Sequence, residues 1–180
     1  MSRTSKARRK TKVPARPPKP VHEPHDPKER DPKERDPKER DPREMNAAEV
    51  LARTIYGEAR GEPAQGRNAV AAVVMNRVAR ANERDGWWWG RDVSSVCLKP
   101  YQFSCWNEGD PNRAKILNVA PGHRVYDACL KIALRAVTHD LDDPSQGATH
   151  YHARGARPPW ARGKTPVAAI GKHLFYADIE

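Results

Sequence analysis

Apolar positions recur with the helical period in three stretches of the chain. After Asn46 come Val50, Leu51, Thr54, Ile55 and Glu58, at i, i+1, i+4, i+5 and i+8, a spacing that places all five on one helix face. Asn46 is a good N-cap, and Glu49 three residues on completes a capping-box-like start. Gly57 and Gly61 predict the end of this helix. A second helix is predicted from Pro63, a favoured first-turn proline, through Ala69, Val70, Val73, Val74 and Val78. A third runs from about Gly122 to His139, with Val125, Ala128, Cys129, Ile132, Ala133, Ala136 and Val137 on one stripe. Residues 82–121 carry Gly, Pro and Trp at irregular spacing and read mostly as loop. After Pro144 the chain reads as loop until Val167–Tyr176, a short helix or strand that closes the domain. No convincing alternating strand is found, so the expected fold class is predominantly α.

Residues 1–45 have a different character. They hold nine of the 17 prolines, no aromatic residue and no glycine, and cannot bury enough apolar surface to offset chain entropy. A basic, Pro-rich leader at 1–20 precedes a period-five repeat, Asp26-Pro-Lys-Glu-Arg, which recurs at Asp31 and Asp36 and degenerates at Asp41. Proline every fifth residue blocks a regular helix, so the repeat reads as a charged spacer. The expected organisation is a disordered leader and spacer over 1–45 and one globular domain over 46–180.

Charge narrows the choice of partners. The formal net charge of +10 divides into +6 on residues 1–45 and +4 on the rest, so the mean hydropathy of −0.92 is partly the tail's. The leader suits non-specific contact with anionic envelope polymers. Specific nucleic-acid recognition is not expected, because no aromatics are interleaved to stack bases. The longest apolar run, Ala69 to Met75, has seven residues, too few to span a bilayer. No apolar segment follows the charged N-terminus, so no Sec signal peptide is expected. Three cysteines make no disulfide framework; Cys97 and Cys105 are near enough in sequence to pair in an oxidising space, but three reduced, partly buried thiols are the expectation.

Glu58 is the candidate for chemistry. It continues the apolar stripe of the first helix, within Tyr56-Gly-Glu-Ala-Arg-Gly61. Apolar surroundings disfavour the charged form of a carboxyl, as a general acid at neutral pH requires. The alternative is a surface glutamate paired with Arg60 or Arg53.

The stretch Leu51-Ala-Arg-Thr-Ile-Tyr-Gly-Glu-Ala-Arg-Gly-Glu-Pro, continuing Gln65-Gly-Arg-Asn-Ala-Val-Ala-Ala-Val-Val-Met-Asn-Arg-Val78, resembles the signature of the SleB-type cell wall hydrolases, the spore-cortex-lytic enzymes and their bacterial and phage relatives. Two further blocks agree in order: Val96-Cys-Leu-Lys-Pro-Tyr-Gln-Phe-Ser-Cys-Trp-Asn107, and Ala148-Thr-His-Tyr-His152 with Pro159-Trp160-Ala161 and Ile170-Gly-Lys-His-Leu-Phe-Tyr176. The resemblance covers roughly residues 48–177 and leaves out 1–45. It implies a lysozyme-like fold, cleavage of the β-1,4 bond between N-acetylmuramic acid and N-acetylglucosamine in peptidoglycan, and Glu58 as the catalytic residue.

Retention or inversion in glycoside hydrolysis needs a second carboxylate. Glu62, Asp85, Asp92, Glu108 and Asp110 are candidates, but none lies in a block as specific as that of Glu58. A lone glutamate suits a lytic transglycosylase, an outcome associated with the resembled family. Gln102, Phe103 and Ser104 are expected to line the glycan groove, with Trp106 in the same block and His150 and Tyr151 on the opposite wall, Tyr151 near the acid. Tyr56, Asn76 and Arg77 are expected to support the Glu58 loop. Trp87, Trp88 and Trp89 are either a sugar-stacking platform or a cap on the domain. His150 and His152 raise zinc, but His173, Cys105 and Asp127 supply no compelling third ligand, so no metal or cofactor is expected. A monomeric enzyme made in the cytoplasm and released to the wall, as a phage endolysin is by a holin, accords with these features. A zinc amidase cutting between glycan and peptide and a non-catalytic, basic-tailed binding protein are the alternatives.

Overall fold

A computed structural model of the chain describes residues 40–83 and 87–179. The leader and most of the repeat lie outside the described residues, as does Asp85. Helix α1 (Ala47–Ala59) begins where its cap dictates, with the Asn46 side chain accepting from Glu49 N at 2.9 Å. Glu49 does not close the box. Its carboxylate pairs instead with Arg53, one turn on, at 2.9 Å, and with Arg40. Val50, Leu51, Thr54 and Ile55 are fully buried.

Gly57 lies inside α1 rather than at its end. A Cβ there would stand 2.7 Å from Cys105 Cβ and 3.1 Å from Ile116 Cγ2, so the residue is needed for close approach and not for a break. Helix α2 (Ala64–Glu83) follows Pro63 and buries Ala69, Val70, Val73 and Val74.

Residues 82–121 are loop in large part, but not throughout. They contain α3 (Val93–Leu98) and α4 (Arg113–Asn118). Six residues are too few for a 3.6 period to stand out. The signal present was the cap: Asp92 accepts from Ser95 N at 2.8 Å, and Ser95 Oγ accepts from Asp92 N at 3.1 Å. Helix α5 (Arg124–Val137) matches its stripe and packs mainly against α1. The core between them contains Leu51, Ile55, Val96, Phe103, Trp106, Ile116, Tyr126 and Ile132. Cys97, Cys105 and Cys129 are free and buried.

The C-terminal part corrects the expectation of no alternating strand. Strands β1 (His150–Ala153), β2 (Ala168–Ile170) and β3 (His173–Tyr176) form an antiparallel sheet in the order β1-β3-β2. Strands of three or four residues show at most two alternations, and β1 begins His-Tyr-His, which carries no apolar rhythm. Register sets Tyr151 opposite Phe175 and His152 opposite Leu174. Tyr151, His173 and Phe175 therefore share one face, and His150, His152, Leu174 and Tyr176 the other. Phe175 and Ile170 pack with Ala69 and Val73 of α2, which seats the first face on the helices. Among the described residues no helix is long and apolar enough to cross a membrane. The protein is predominantly helical, with this small sheet against the helices.

Candidate active site

The end of α1 presents Glu58, half-buried. The Tyr151 hydroxyl donates to Glu58 Oε2 at 2.9 Å. The tyrosine ring is held by its own strand pairing, 5.6 Å from the Phe175 ring and edge-on to His173 at 5.2 Å. Burial raises the Tyr151 hydroxyl well above its ordinary value. The charge of Glu58 and the hydrogen bond to it add to this, and Arg77 opposes it. The phenol therefore stays protonated and remains a donor.

Arg77 comes from α2 and is buried. Its Nε donates to Thr149 O at 2.7 Å. The guanidinium lies 5.2 Å from the Phe103 ring centroid and 6.0 Å from that of Trp89. Burial lowers its value, countered by Tyr151, Cys97 and Glu58. An arginine keeps its charge under such shifts, so it is a fixed cation beside the Glu58–Tyr151 pair. Its Nη1 has no hydrogen-bond partner among the described residues. Asn76, one residue earlier, donates to Asp143 Oδ2 at 2.9 Å and Ala148 O at 3.0 Å. Asn76 and Arg77 thus hold the segment that leads into β1, and through it Tyr151.

On the other side of Glu58 lies Cys105. Burial drives its thiol far up, and the charge and hydrogen bond of Glu58 drive it further. Glu62 follows Glu58 by four residues and is buried. Its Oε2 accepts from Lys172 N at 2.9 Å and stands 3.9 Å from His173 Nδ1. Gly171, at φ +55°, makes room for it: a Cβ would fall 1.8 Å from that oxygen. Burial lowers the His173 imidazole against the opposing pull of Glu62 and Glu58. The two carboxylates thus flank an aromatic pair, Glu58 at Tyr151 and Glu62 at His173.

The other expected site residues have varied surroundings. Gln102 Nε2 donates to Val96 O at 2.6 Å. Phe103 is core, and Ser104 is exposed at the start of a 3-10 turn. Trp106 is buried, its Nε1 donating to Thr54 Oγ1 at 2.9 Å. Tyr56 packs edge-on against His123 and Tyr126. His150 faces away from Glu58, between the rings of Trp89 and Trp160. Its imidazole is pulled down to about 4 by burial, then by the charges of Arg77 and Arg80. Trp88 is half-exposed and lies over Trp89 at 4.4 Å. Arg53 and Arg60 do not pair with Glu58. Arg53 serves Glu49 and backbone carbonyls at the C-terminal end of α4, those of Leu117 and Val119 among them, and Arg60 reaches Gly57 O and Asn112.

Sequence reasoning missed His173 and Phe175 as the setting of Tyr151, and Cys105 as the neighbour of Glu58. The last had a signal, since Gly57 one residue before Glu58 announces a close approach. Among the described residues no group of three His, Cys, Asp or Glu is placed to hold a metal ion.

The model of a family described as cell wall hydrolase matches residues 61–176, beginning three residues beyond Glu58. A spore cortex-lytic enzyme of Halalkalibacterium halodurans is 36% identical over 129 residues, 70% of this chain and 33% of its own length. That of Bacillus subtilis is 33% identical over 129 residues, 70% of this chain and 36% of its own. The chain thus spans about a third of the length of these curated relatives. Two solved structures are similar in fold. The catalytic domain of the Bacillus cereus SleB protein has a TM-score of 0.54 at 29% identity, covering 72% of this chain and 88% of that one. The catalytic domain of the germination-specific lytic transglycosylase SleB from Bacillus anthracis has a TM-score of 0.56 at 30% identity, covering 73% and 93%. With the family model matching more than half its length, the chain belongs to the cell wall hydrolase family.

Proposed function

We propose that this protein cleaves the β-1,4 bond between N-acetylmuramic acid and N-acetylglucosamine in peptidoglycan, as a lytic transglycosylase with Glu58 as its acid and base. The observation that carries this is the Tyr151 hydroxyl donating to Glu58 Oε2 at 2.9 Å. That bond leaves the other carboxyl oxygen to hold and deliver a proton. In its acid form Glu58 protonates the glycosidic oxygen, and the N-acetylglucosamine residue departs with that proton. The carboxylate left behind takes the proton of the muramic acid C6 hydroxyl. The C6 oxygen attacks C1 and closes a 1,6-anhydro ring, so no water is consumed. Arg77 offsets the negative charge that returns to Glu58, and Tyr151 fixes the carboxylate in place.

Support for one carboxylate rather than two comes from Glu62. Its Oε2 is engaged by Lys172 N, and its position against Gly171 keeps it from orienting a water as a second carboxylate must. Support for the substrate comes from the family and from the B. anthracis relative described as a lytic transglycosylase. The basic leader would draw the enzyme to anionic envelope polymers before cleavage, a role suited to release at the wall in the manner of an endolysin.

The test is lysis of purified sacculi by wild type, Glu58→Gln and Glu62→Gln. Loss of 10³-fold or so in kcat for Glu58→Gln is expected, with Glu62→Gln retaining most of its turnover. Full activity in Glu58→Gln would overturn the assignment.

A further inference from the structure

The outer face of the sheet, turned away from Glu58, carries a pocket of about 420 Å³ that the proposed reaction does not use. Its floor is Leu174 and Tyr176 of β3, beside His152 of β1. Its rim holds Arg154, Arg157 and Arg162. All three arginines are exposed, and none is paired with a carboxylate among the described residues. The guanidinium groups of Arg154 and Arg157 are held by local backbone. Arg154 Nε donates to Gly171 O at 3.1 Å, and Arg157 Nη1 donates to Arg154 O at 2.8 Å and Ala156 O at 2.9 Å. Arg162 closes the turn Pro159–Ala161, its N–H donating to Pro159 O at 3.2 Å. The His152 ring is fixed on the floor by Nε2 at 3.0 Å from the Tyr176 hydroxyl.

Three like charges around one concavity repel one another, so the arrangement gains from an anion between them. Guanidinium forks match carboxylates in shape as well as charge. The floor combines the Leu174 side chain with the rings of Tyr176 and His152, which suits an occupant with a short aliphatic body below its carboxylate. We propose that this pocket binds the stem peptides of peptidoglycan through their free carboxylates, anchoring a strand at a point separate from the cleaved bond. This rests on the peptidoglycan reading given above.

Two measurements on the full chain test it. Calorimetric titration of a free stem tetrapeptide, with its carboxylates intact or amidated, is run on wild type and on Arg157→Ala/Arg162→Ala. The same leader is present in both proteins, so its charge cancels. The pocket predicts binding of the intact peptide, at least tenfold weakening in the variant, and weakening of similar size on amidation. Equal binding by both proteins, or none by wild type, overturns it. Cleavage is then followed on soluble glycan strands with their stems and on strands stripped of them. The variant is expected to raise KM about tenfold on stem-bearing strands with kcat unchanged, and to match wild type on bare strands. An equal change on both substrates, or no change on either, overturns the pocket. Wild type cleaving neither strand overturns the glycan reading instead, and the titration still decides the pocket.

Discussion

Tyr151 and Glu58 stand 93 residues apart in sequence and are joined by one hydrogen bond of 2.9 Å. The bond couples the sheet to the end of the first helix, so whatever positions β1 also positions Glu58. Tyr151→Phe removes only the donor. Loss of about 10- to 100-fold in kcat is expected, since one preorganised hydrogen bond to a reacting group is worth that much or more. The fold should persist, with a stability loss near 1 kcal/mol. Steady-state turnover of sacculi and a denaturant melt check both; unaltered kcat would show that the bond is incidental to the chemistry.

Gly57 connects Glu58 to the core. Alanine there gains about 1 kcal/mol in helix propensity, but its Cβ meets Cys105 at 2.7 and 2.8 Å. Overpacking of this kind costs about 1–3 kcal/mol, so Gly57→Ala is expected to be net destabilising by up to about 2 kcal/mol. Urea unfolding measures it. Greater stability than wild type would mean that Cys105 moves aside freely.

His150 links stability to acid pH. A histidine free in the unfolded chain titrates near 6.5; in the fold burial and two arginines hold it down at about 4. The native state thus disfavours the proton. The stabilisation is present above about pH 6.5 and is lost as pH falls toward 4. Solvent screening at this half-exposed ring limits the effect to roughly 1–2 kcal/mol. The stability difference between wild type and His150→Gln, followed by urea unfolding from pH 7 to pH 4, should shrink by that amount. Parallel curves would contradict it.

The thiols give a simple probe of the core. Burial pushes Cys97 up to about 12 and Cys129 up to about 11, and Cys105 higher still. None should react with an aromatic disulfide reagent at pH 8 until the protein is unfolded, because the thiolate is the reactive species. Rapid labelling of the native protein would show an open core around Glu58.

The helices were legible because their signals are long or specific. Asn46 set the start of α1, and the stripes of α1, α2 and α5 each extend over two or more turns. Glu58 stood out for the same reason, as it continued a stripe into glycines that periodicity alone does not demand. The sheet was not legible. His173-Leu-Phe-Tyr176 is too short for alternation to separate from chance, and its partner β1 is polar. The setting of Tyr151 depends on that pairing and stayed hidden with it. Phe103 and Trp106 look equally like groove and core in sequence, because an aromatic in a loop-like stretch does not reveal which way it turns. Both are buried here, Trp106 through its bond to Thr54.

The most direct measurement is mass spectrometry of the muropeptides released from sacculi in ¹⁸O-labelled water. Transglycosylation by Glu58 predicts products one water lighter than reducing muropeptides, free of label and missing when Glu58→Gln replaces wild type. Reducing ends carrying ¹⁸O would mean that a water attacks C1, and would contradict a single glutamate acting as both acid and base.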